Sequence, residues 1–481
     1  MLKFTGHPLV DVGAATIAAF DTENRIHPEQ VTEELLDRFT DYISTKYGEE
    51  PFASYIRLLF LNSPYFNAGA EKREQFINTV VRAYKNHLEP LDECCAFCLN
   101  PATHRVFRQH VSLLGGEQSF NFFAEGRKGL PICPICLVSI QAYPLGSAKC
   151  GGKAKALIVH SPNPDLVYEF ARRFSLNNRN QAGLSQEIRF PKTMVIEILL
   201  DIEKELRRRK EDVDAITAYR LTNYGTDADV EINHLPANNI RFVYIARSGK
   251  YKSAWEAIVE RAWEIEEKPK QKRQPKKKTA KEAQSKKKKL KQLVGRQNFF
   301  YEELFDLPEN AQRFLRTYFL RVRRVGVKGI RDTDPRQKYS PIDDADIVSW
   351  DITSLFLREV MNMDKVRINA VRDLGDKLAE YVQTQDARLF SKIFNARRYK
   401  DLSLELLKAN KATVQVGKPP LFSFDQFVDI FEESEEMPRA DWSLARDLLL
   451  VRIIEQLHAA NWWPTHKPEL EEAMRDVAPL D

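Results

Sequence analysis

Two cysteine pairs constrain this chain more than any other feature: Cys95-x-x-Cys98 and Cys133-x-x-Cys136, with 34 residues between them. A pair of thiolates two residues apart suits a tight turn, and two such turns can meet at one tetrahedral Zn²⁺ with Zn–S of about 2.3 Å. Both intervening dipeptides, Ala96-Phe97 and Pro134-Ile135, read as turns. A closed four-thiolate site leaves no position for water, so the expected role of the metal is structural and not catalytic. Cys94 can stand in for Cys95, and His104 or His110 for one thiolate, while Cys150 reads as a spare; four unmetalled cysteines are the alternative. Six cysteines in 481 residues are too sparse for a disulfide framework.

The length implies roughly two to four domains. With 43% hydrophobic and 29% charged residues, the chain has the material for real cores, which excludes global disorder. The net charge of +5 conceals a strong asymmetry: the stretch Lys268 to Arg296 holds fourteen Lys and Arg against Glu282, a local +13 on a body of −8. From Lys268 to Gln292 Leu290 is the only large apolar residue, so that segment cannot bury enough surface to offset chain entropy and reads as a linker. Its lysines, among them Lys276, Lys277, Lys278, Lys286, Lys287, Lys288 and Lys289, are expected to supply salt-sensitive affinity for a polyanion. The opening residues lack a basic start followed by an unbroken apolar core, and nothing approaches the ~20 apolar residues of a membrane span; a cytoplasmic protein is expected.

Periodicity divides the chain into an α+β amino-terminal part and an all-α helical-bundle carboxy-terminal domain. Residues 1–93 read as a helical region, with Val31, Leu35, Leu36, Phe39, Tyr42 and Ile43, then Phe76, Ile77, Val80, Val81 and Tyr84, at helical spacing. Residues 94–150 form the inserted zinc-ribbon segment, and 151–265 the α+β remainder. In that remainder Ala156–Val159 and Phe242–Ala246 read as strands, and Thr193 to Lys210 as a helix with a charged end. Residues 266–296 are the linker and 297–481 the bundle.

Enzyme signatures are missing. Gly249-Lys250 is followed by Tyr251 and Gly417-Lys418 by Pro419, so neither completes a phosphate-binding loop. The acidic groups Asp201, Glu203 and Glu205, and Asp343, Asp344 and Asp346, offer a metal-dependent nuclease as a minor reading, but solvated acids are far commoner; no catalytic residue is expected. Basic residues are better organised: Arg313, Arg316, Arg321, Arg323, Arg324 and Lys328 interleave with Phe314, Tyr318, Phe319 and Val322, so one helical face can pack while another presents guanidinium groups to phosphates. Arg172-Arg173, Arg207 to Lys210, and Arg397, Arg398 and Lys400 repeat the pattern more weakly.

Three pieces together resemble a known family. Gly6-His7-Pro8, Asp11 and Gly13 are similar to the opening G-[NH]-P-x-x-D-x-G of the Cst-type large subunit of type I-B CRISPR Cascade, and the two cysteine pairs resemble its zinc region. Thr222-Asn223-Tyr224-Gly225 resembles its T-N-x-G element. The similarity extends over essentially the whole chain except the lysine-rich insertion.

The resemblance implies a non-catalytic subunit of an RNA-guided DNA-surveillance complex. Its partners are a guide RNA, target double-stranded DNA, the backbone, handle-binding and small subunits, and a helicase-nuclease. Guide pairing supplies sequence specificity while the protein reads the protospacer-adjacent motif, aids local unwinding and stabilises the R-loop and displaced strand. On this basis Asn223 is expected to read base edges, and the loop of Gly6, His7, Pro8, Asp11 and Gly13 to read the motif or form an interface. The family also implies a small subunit started internally; Met361 or Met363 would give 121 or 119 residues, a helical portion of about 361–481. The competing reading is a zinc-ribbon DNA-binding or transcription-associated factor acting without guide RNA.

Overall fold

The computed structural model describes residues 1–20, 25–117, 128–151, 155–180, 187–206, 214–223, 228–266, 295–324, 332–434 and 437–468. Helix and sheet are mixed throughout, and the chain divides into two compact units, Met1–Ala237 forming the body of the first and Asn238 onward, with Gln297–Asp481, the second. The division falls at Ala237, inside the stretch that the sequence assigns to the α+β remainder.

The first unit is organised around α1 (Pro8–Ala18), in which every residue from Leu9 to Ala18 is buried. Pro8 occupies its first turn, where the missing N–H costs nothing. The helix is rich in small residues, so its neighbours can come close on all sides. Around it lie α2 (Glu33–Lys46), α3 (Phe52–Leu59), α4 (Pro64–Asn67), α5 (Ala70–Phe76), α6 (Pro134–Ala142), α7 (Pro164–Arg179) and α8 (Pro191–Leu206). The helical spacing read at 31–43 becomes α2, capped by Thr32 Oγ1, which accepts from the Leu35 N–H at 3.2 Å. The second run continues α5 through a π-helical turn at Ile77–Val81.

Strands β1 (His104–Val106) and β2 (Leu130–Ile132) pair antiparallel beside the cysteines. β3 (Ala148–Cys150), β4 (Lys155–His160), β5 (Ile216–Thr222) and β6 (Asp229–Leu235) form a four-stranded antiparallel sheet in that order. The run at Ala156–Val159 is therefore a strand, buried in β4 where α1 and α7 cover it.

The run Phe242–Ala246 is not a strand. It ends α9 (Ala237–Ala246), because five apolar residues fit a buried helix as well as a buried strand and tertiary packing decides between them. Phe242 lies among Trp255, Phe319 and Phe356, and Asn239 Nδ2 donates to the Leu304 carbonyl at 3.1 Å, so the helix belongs to the core of the second unit.

The second unit continues with α10 (Lys252–Glu260), α11 (Phe299–Glu303), α12 (Ala311–Tyr318), α13 (Trp350–Glu359), α14 (Lys365–Thr384), α15 (Arg388–Asn395), α16 (Tyr399–Gln415), α17 (Phe424–Phe431) and α18 (Trp442–Ala459). α18 is its central helix, buried almost all round from Leu444 to Leu457 and flanked by α14 and α15. The expectation of an all-α carboxy-terminal domain meets an exception: β7 (Glu432–Ser434) and β8 (Met437–Pro438) pair antiparallel between α17 and α18. The backbone leaves α17 extended at Glu432, with φ −123° and ψ 146°, and the hairpin returns it to the start of α18.

Candidate metal centre

The first knuckle is built on a narrow loop. Cys95 N–H donates to the Asn100 carbonyl at 2.7 Å, and Leu99 N–H closes the turn on the Cys95 carbonyl at 3.0 Å with Leu99 in the left-handed region at φ 64°. Ala96 N–H donates to the Pro131 carbonyl at 3.0 Å, which ties this knuckle to β2. The second knuckle starts α6: Cys133 is the N-cap residue and its Sγ accepts from the Cys136 N–H at 3.4 Å. Sequence separation is therefore bridged by the β1–β2 ladder, which sets the two turns side by side.

The four ligand sulfurs of Cys95, Cys98, Cys133 and Cys136 lie within 4.8 Å of one another, and Cys98 Sγ is 3.5 Å from Cys133 Sγ. Tetrahedral coordination by thiolates at about 2.3 Å places sulfurs about 3.8 Å apart, so the set fits a single metal ion. Hydrogen bonds from Cys133 and Cys136 draw the Cys95 thiol far below its usual range, while hydrogen bonding to Cys133 and Cys95 pushes Cys136 far up. Four sulfurs this close can all be thiolates only with a cation among them. Among the described residues, no other group of three or more His, Cys, Asp or Glu is placed to share a metal.

The substitutes considered for these ligands lie elsewhere. Cys94 is exposed, and Cys150 is buried, its thiol pushed up to about 12 by burial. His104 Nδ1 meets Thr103 Oγ1 at 2.7 Å, and His110 Nδ1 accepts from the Phe107 N–H at 3.2 Å.

The opening loop is joined to this centre. Asp11 is buried, and its Oδ1 accepts from the Thr5 N–H at 2.6 Å and from Thr5 Oγ1 at 3.0 Å. Its Oδ2 accepts from the Gly6 N–H at 3.0 Å and lies 3.0 Å from His160 Nε2. The carboxylate thus holds the chain as it turns into α1, with Gly6 exposed at the bend in the left-handed conformation at φ 84°. His7 packs edge-on against Phe97 of the first knuckle with ring centroids 4.6 Å apart. Gly13 permits the closest approach in the unit: a Cβ there would lie 1.7 Å from the Ser139 carbonyl oxygen of α6. The motif spaced as Gly6, His7, Pro8, Asp11 and Gly13 therefore docks α1 onto both knuckles, a role that the residue types alone did not reveal.

Asn223 is not presented to a partner. It is buried; its N–H donates to the Leu58 carbonyl at 2.9 Å, its Nδ2 to the Leu59 carbonyl at 2.6 Å, and its Oδ1 accepts from the Leu113 N–H at 3.0 Å. Those two carbonyls belong to the end of α3, where helical partners run out, so the amide serves as a clamp on the helix terminus. The expected base-reading amide is thus already occupied inside the protein.

The arginine group is divided by its partners. Arg316 Nη1 reaches both carboxylate oxygens of buried Asp447 at 2.8 and 3.0 Å, and Arg446 pairs with the same carboxylate at 2.8 Å. Arg321 is buried, 3.0 Å from Asp344 and stacked 3.3 Å above the Tyr339 ring; Arg324 pairs with Glu303 at 2.5 Å. Arg316, Arg321 and Arg324 thus bind carboxylates within the second unit, and Arg313 and Arg323 are the exposed members. Lys328 and the lysines at 276–278 and 286–289 lie outside the described residues. The acidic group at 343–346 is likewise neutralised: Asp344 and Asp346 bind Arg261, and Asp343 binds Lys467.

Among the described residues no helix is long and apolar enough to cross a membrane. No protein-family model, curated protein or solved structure matches this chain.

Proposed function

We propose that the chain is the non-catalytic large subunit of a type I-B CRISPR Cascade, held in shape by a structural Zn²⁺ on Cys95, Cys98, Cys133 and Cys136. The observation that carries the reading is convergence: the three elements of the family resemblance, far apart in sequence, lie in one unit, and two of them pack on each other. Gly13 seats α1 on the helix that carries the second cysteine pair, His7 rests on the first knuckle, and Asn223 locks α3 to Leu113. Coupling of this kind is what one assembled module demands, and it gives His7, Asp11, Gly13 and Asn223 each a structural partner.

In this reading the subunit works in the cytoplasm of a prokaryote with guide RNA, the backbone, handle-binding and small subunits, and target duplex DNA. It reads the adjacent motif, aids unwinding, steadies the displaced strand and supports recruitment of the helicase-nuclease. Motif reading falls to exposed positions such as the bend at Gly6, since Asn223 is occupied. Arg313 and Arg323 supply phosphate contacts, and the lysine run adds sequence-blind affinity. A small subunit from an internal start at Met361 or Met363 would begin just before Asp364, whose side chain accepts from the Val366 N–H and caps α14, and would give up the bond of Arg316 to Asp447.

Purification of the tagged chain from its native host tests the proposal. Recovery of a discrete guide RNA with backbone subunits supports it; tight duplex binding with no RNA and no partners transfers the chain to the transcription-factor class, and Mg²⁺-dependent cleavage transfers it to the nucleases. Deleting Lys268 to Lys291 should weaken DNA binding and flatten its salt dependence while preserving motif preference. Loss of the preference itself would place motif reading in the lysine run.

A further inference from the structure

The second unit carries a surface that the proposed function leaves unused. Of the twelve large apolar side chains exposed among the described residues, seven lie between Val366 and Met437, and three of these stand on one helix. In α16 the buried positions are Leu402, Leu406, Ala409 and Thr413, which define the face turned to the core. The opposite face should be polar in a helix that ends its business with one core. Instead Leu404, Leu407 and Val414 are 49%, 51% and 52% exposed there, with Lys400 and Lys411 in the same row.

The spacing of that row alternates four and three residues: Lys400, Leu404, Leu407, Lys411, Val414. This is the seam of a helix that packs against another helix, with Leu404 and Lys411 at one heptad position and Lys400, Leu407 and Val414 at the other. The charge along this segment is positive. Residues 397–418 contain Arg397, Arg398, Lys400, Lys408, Lys411 and Lys418 against Asp401 and Glu405, and those two acids already pair with Arg398 and Lys408.

We propose that the outer face of α16 docks an amphipathic helix of a partner protein whose apolar seam is bordered by carboxylates. Charge selects this occupant. In a second copy of the same seam Lys411 would face Lys411 in the parallel orientation and, in the antiparallel one, Lys400 or Leu407 according to register, so no self-pairing sets a carboxylate against either seam lysine. A nucleic acid would use the lysines but would place Leu404, Leu407 and Val414, in the middle of the row, against phosphates and water. An acidic helix covers the three apolar side chains and neutralises both lysines at once. The inference is independent of the Cascade reading, since it rests on one helix of the second unit.

The test uses the full-length protein and a fluorescein-labelled three-heptad peptide with Leu at both seam positions and Glu on the flanks. Repulsion among its own glutamates keeps this peptide single. Fluorescence anisotropy should show binding at low salt, weakened at least tenfold by Leu404→Ser with Leu407→Ser. Lys400→Glu with Lys411→Glu should lose the Glu-flanked peptide and gain a Lys-flanked one. The replaced side chains are exposed, so both variants should melt with the wild type, and a melting scan confirms that binding and not folding has changed. Equal binding of the two peptides by the wild type, or unchanged binding by the serine variant, overturns the proposal. Wild-type self-association in sedimentation that the serine variant abolishes reassigns the face to a second copy. Loss of oligonucleotide binding by the serine variant, with peptide binding intact, reassigns it to nucleic acid.

Discussion

Replacing Gly13 by alanine adds a single methyl group to a buried helix, and the structure sets a large penalty for it. The new Cβ would lie 1.7 Å from the Ser139 carbonyl oxygen, where ordinary contact begins at 3.4 Å. α1 and α6 must therefore part by about 1.7 Å. Overpacking typically costs 1–3 kcal/mol, and here the obstacle is backbone, which no rotamer change can move, so a loss of about 3 kcal/mol or more is expected. For a unit of this size each kcal/mol lowers Tm by about 2–4 °C, which gives a fall of about 6–12 °C by calorimetry. The same displacement moves the amino-terminal end of α6, where Cys133 and Cys136 sit, and metal–ligand distances tolerate only about 0.2 Å. The variant should therefore also yield its metal to a competing chelator more readily. Gly69→Ala is the control, because nothing lies within 4 Å of a Cβ there and Gly69 precedes a short exposed helix; its effect should stay below about 1 kcal/mol. A Gly13→Ala protein that melts within about 2 °C of the wild type and holds its metal equally well would refute the argument that this glycine exists for close approach.

Elemental analysis should find one zinc per chain, and chelation or Cys133→Ser should lower the Tm of the first unit, because ligands that bind only the folded state stabilise it; a metal-free protein with unchanged melting would exclude the site. Asn223→Ala should destabilise by about 1–3 kcal/mol in denaturant titrations, since it leaves the Leu113 N–H buried without a partner while the Leu59 carbonyl keeps its bond from Ser112 Oγ. A variant of normal stability but altered motif preference would restore Asn223 to DNA reading. His110 is held down to about 4 by burial from an ordinary 6.5, so it stays neutral in the folded protein while the unfolded chain takes up a proton. Its contribution is present above pH 6.5 and is lost as pH falls toward 4, amounting to about 3 kcal/mol. The pH dependence of unfolding over that window should be flatter in His110→Gln, and an identical slope would remove His110 as its source.

The four-cysteine cluster was legible in the chain because thiolate spacing is a local property: two residues between cysteines fit a knuckle wherever the chain goes. Helical periodicity was legible at α2 and along much of the second unit for the same reason, as each signal lies within a few turns. Phe242–Ala246 was not, because a short apolar run satisfies a buried strand and a buried helix equally until Trp255, Phe319 and Phe356 surround it. The arginines show the same limit. Sequence places Arg313, Arg316, Arg321, Arg323 and Arg324 together, but their availability depends on carboxylates remote in the chain, Asp447 for Arg316 and Asp344 for Arg321.

The amino-acid sequence by itself thus determined which side chains can bind metal, where charge accumulates and where helices run, since these follow from residue type and short spacing. Only the tertiary structure decided that Asn223 clamps a helix end, that most of the arginine face is internal, and that Gly13 and His7 pack beside the four-cysteine cluster. Those roles are contacts between residues distant in the chain, and burial is created by the fold that brings them together.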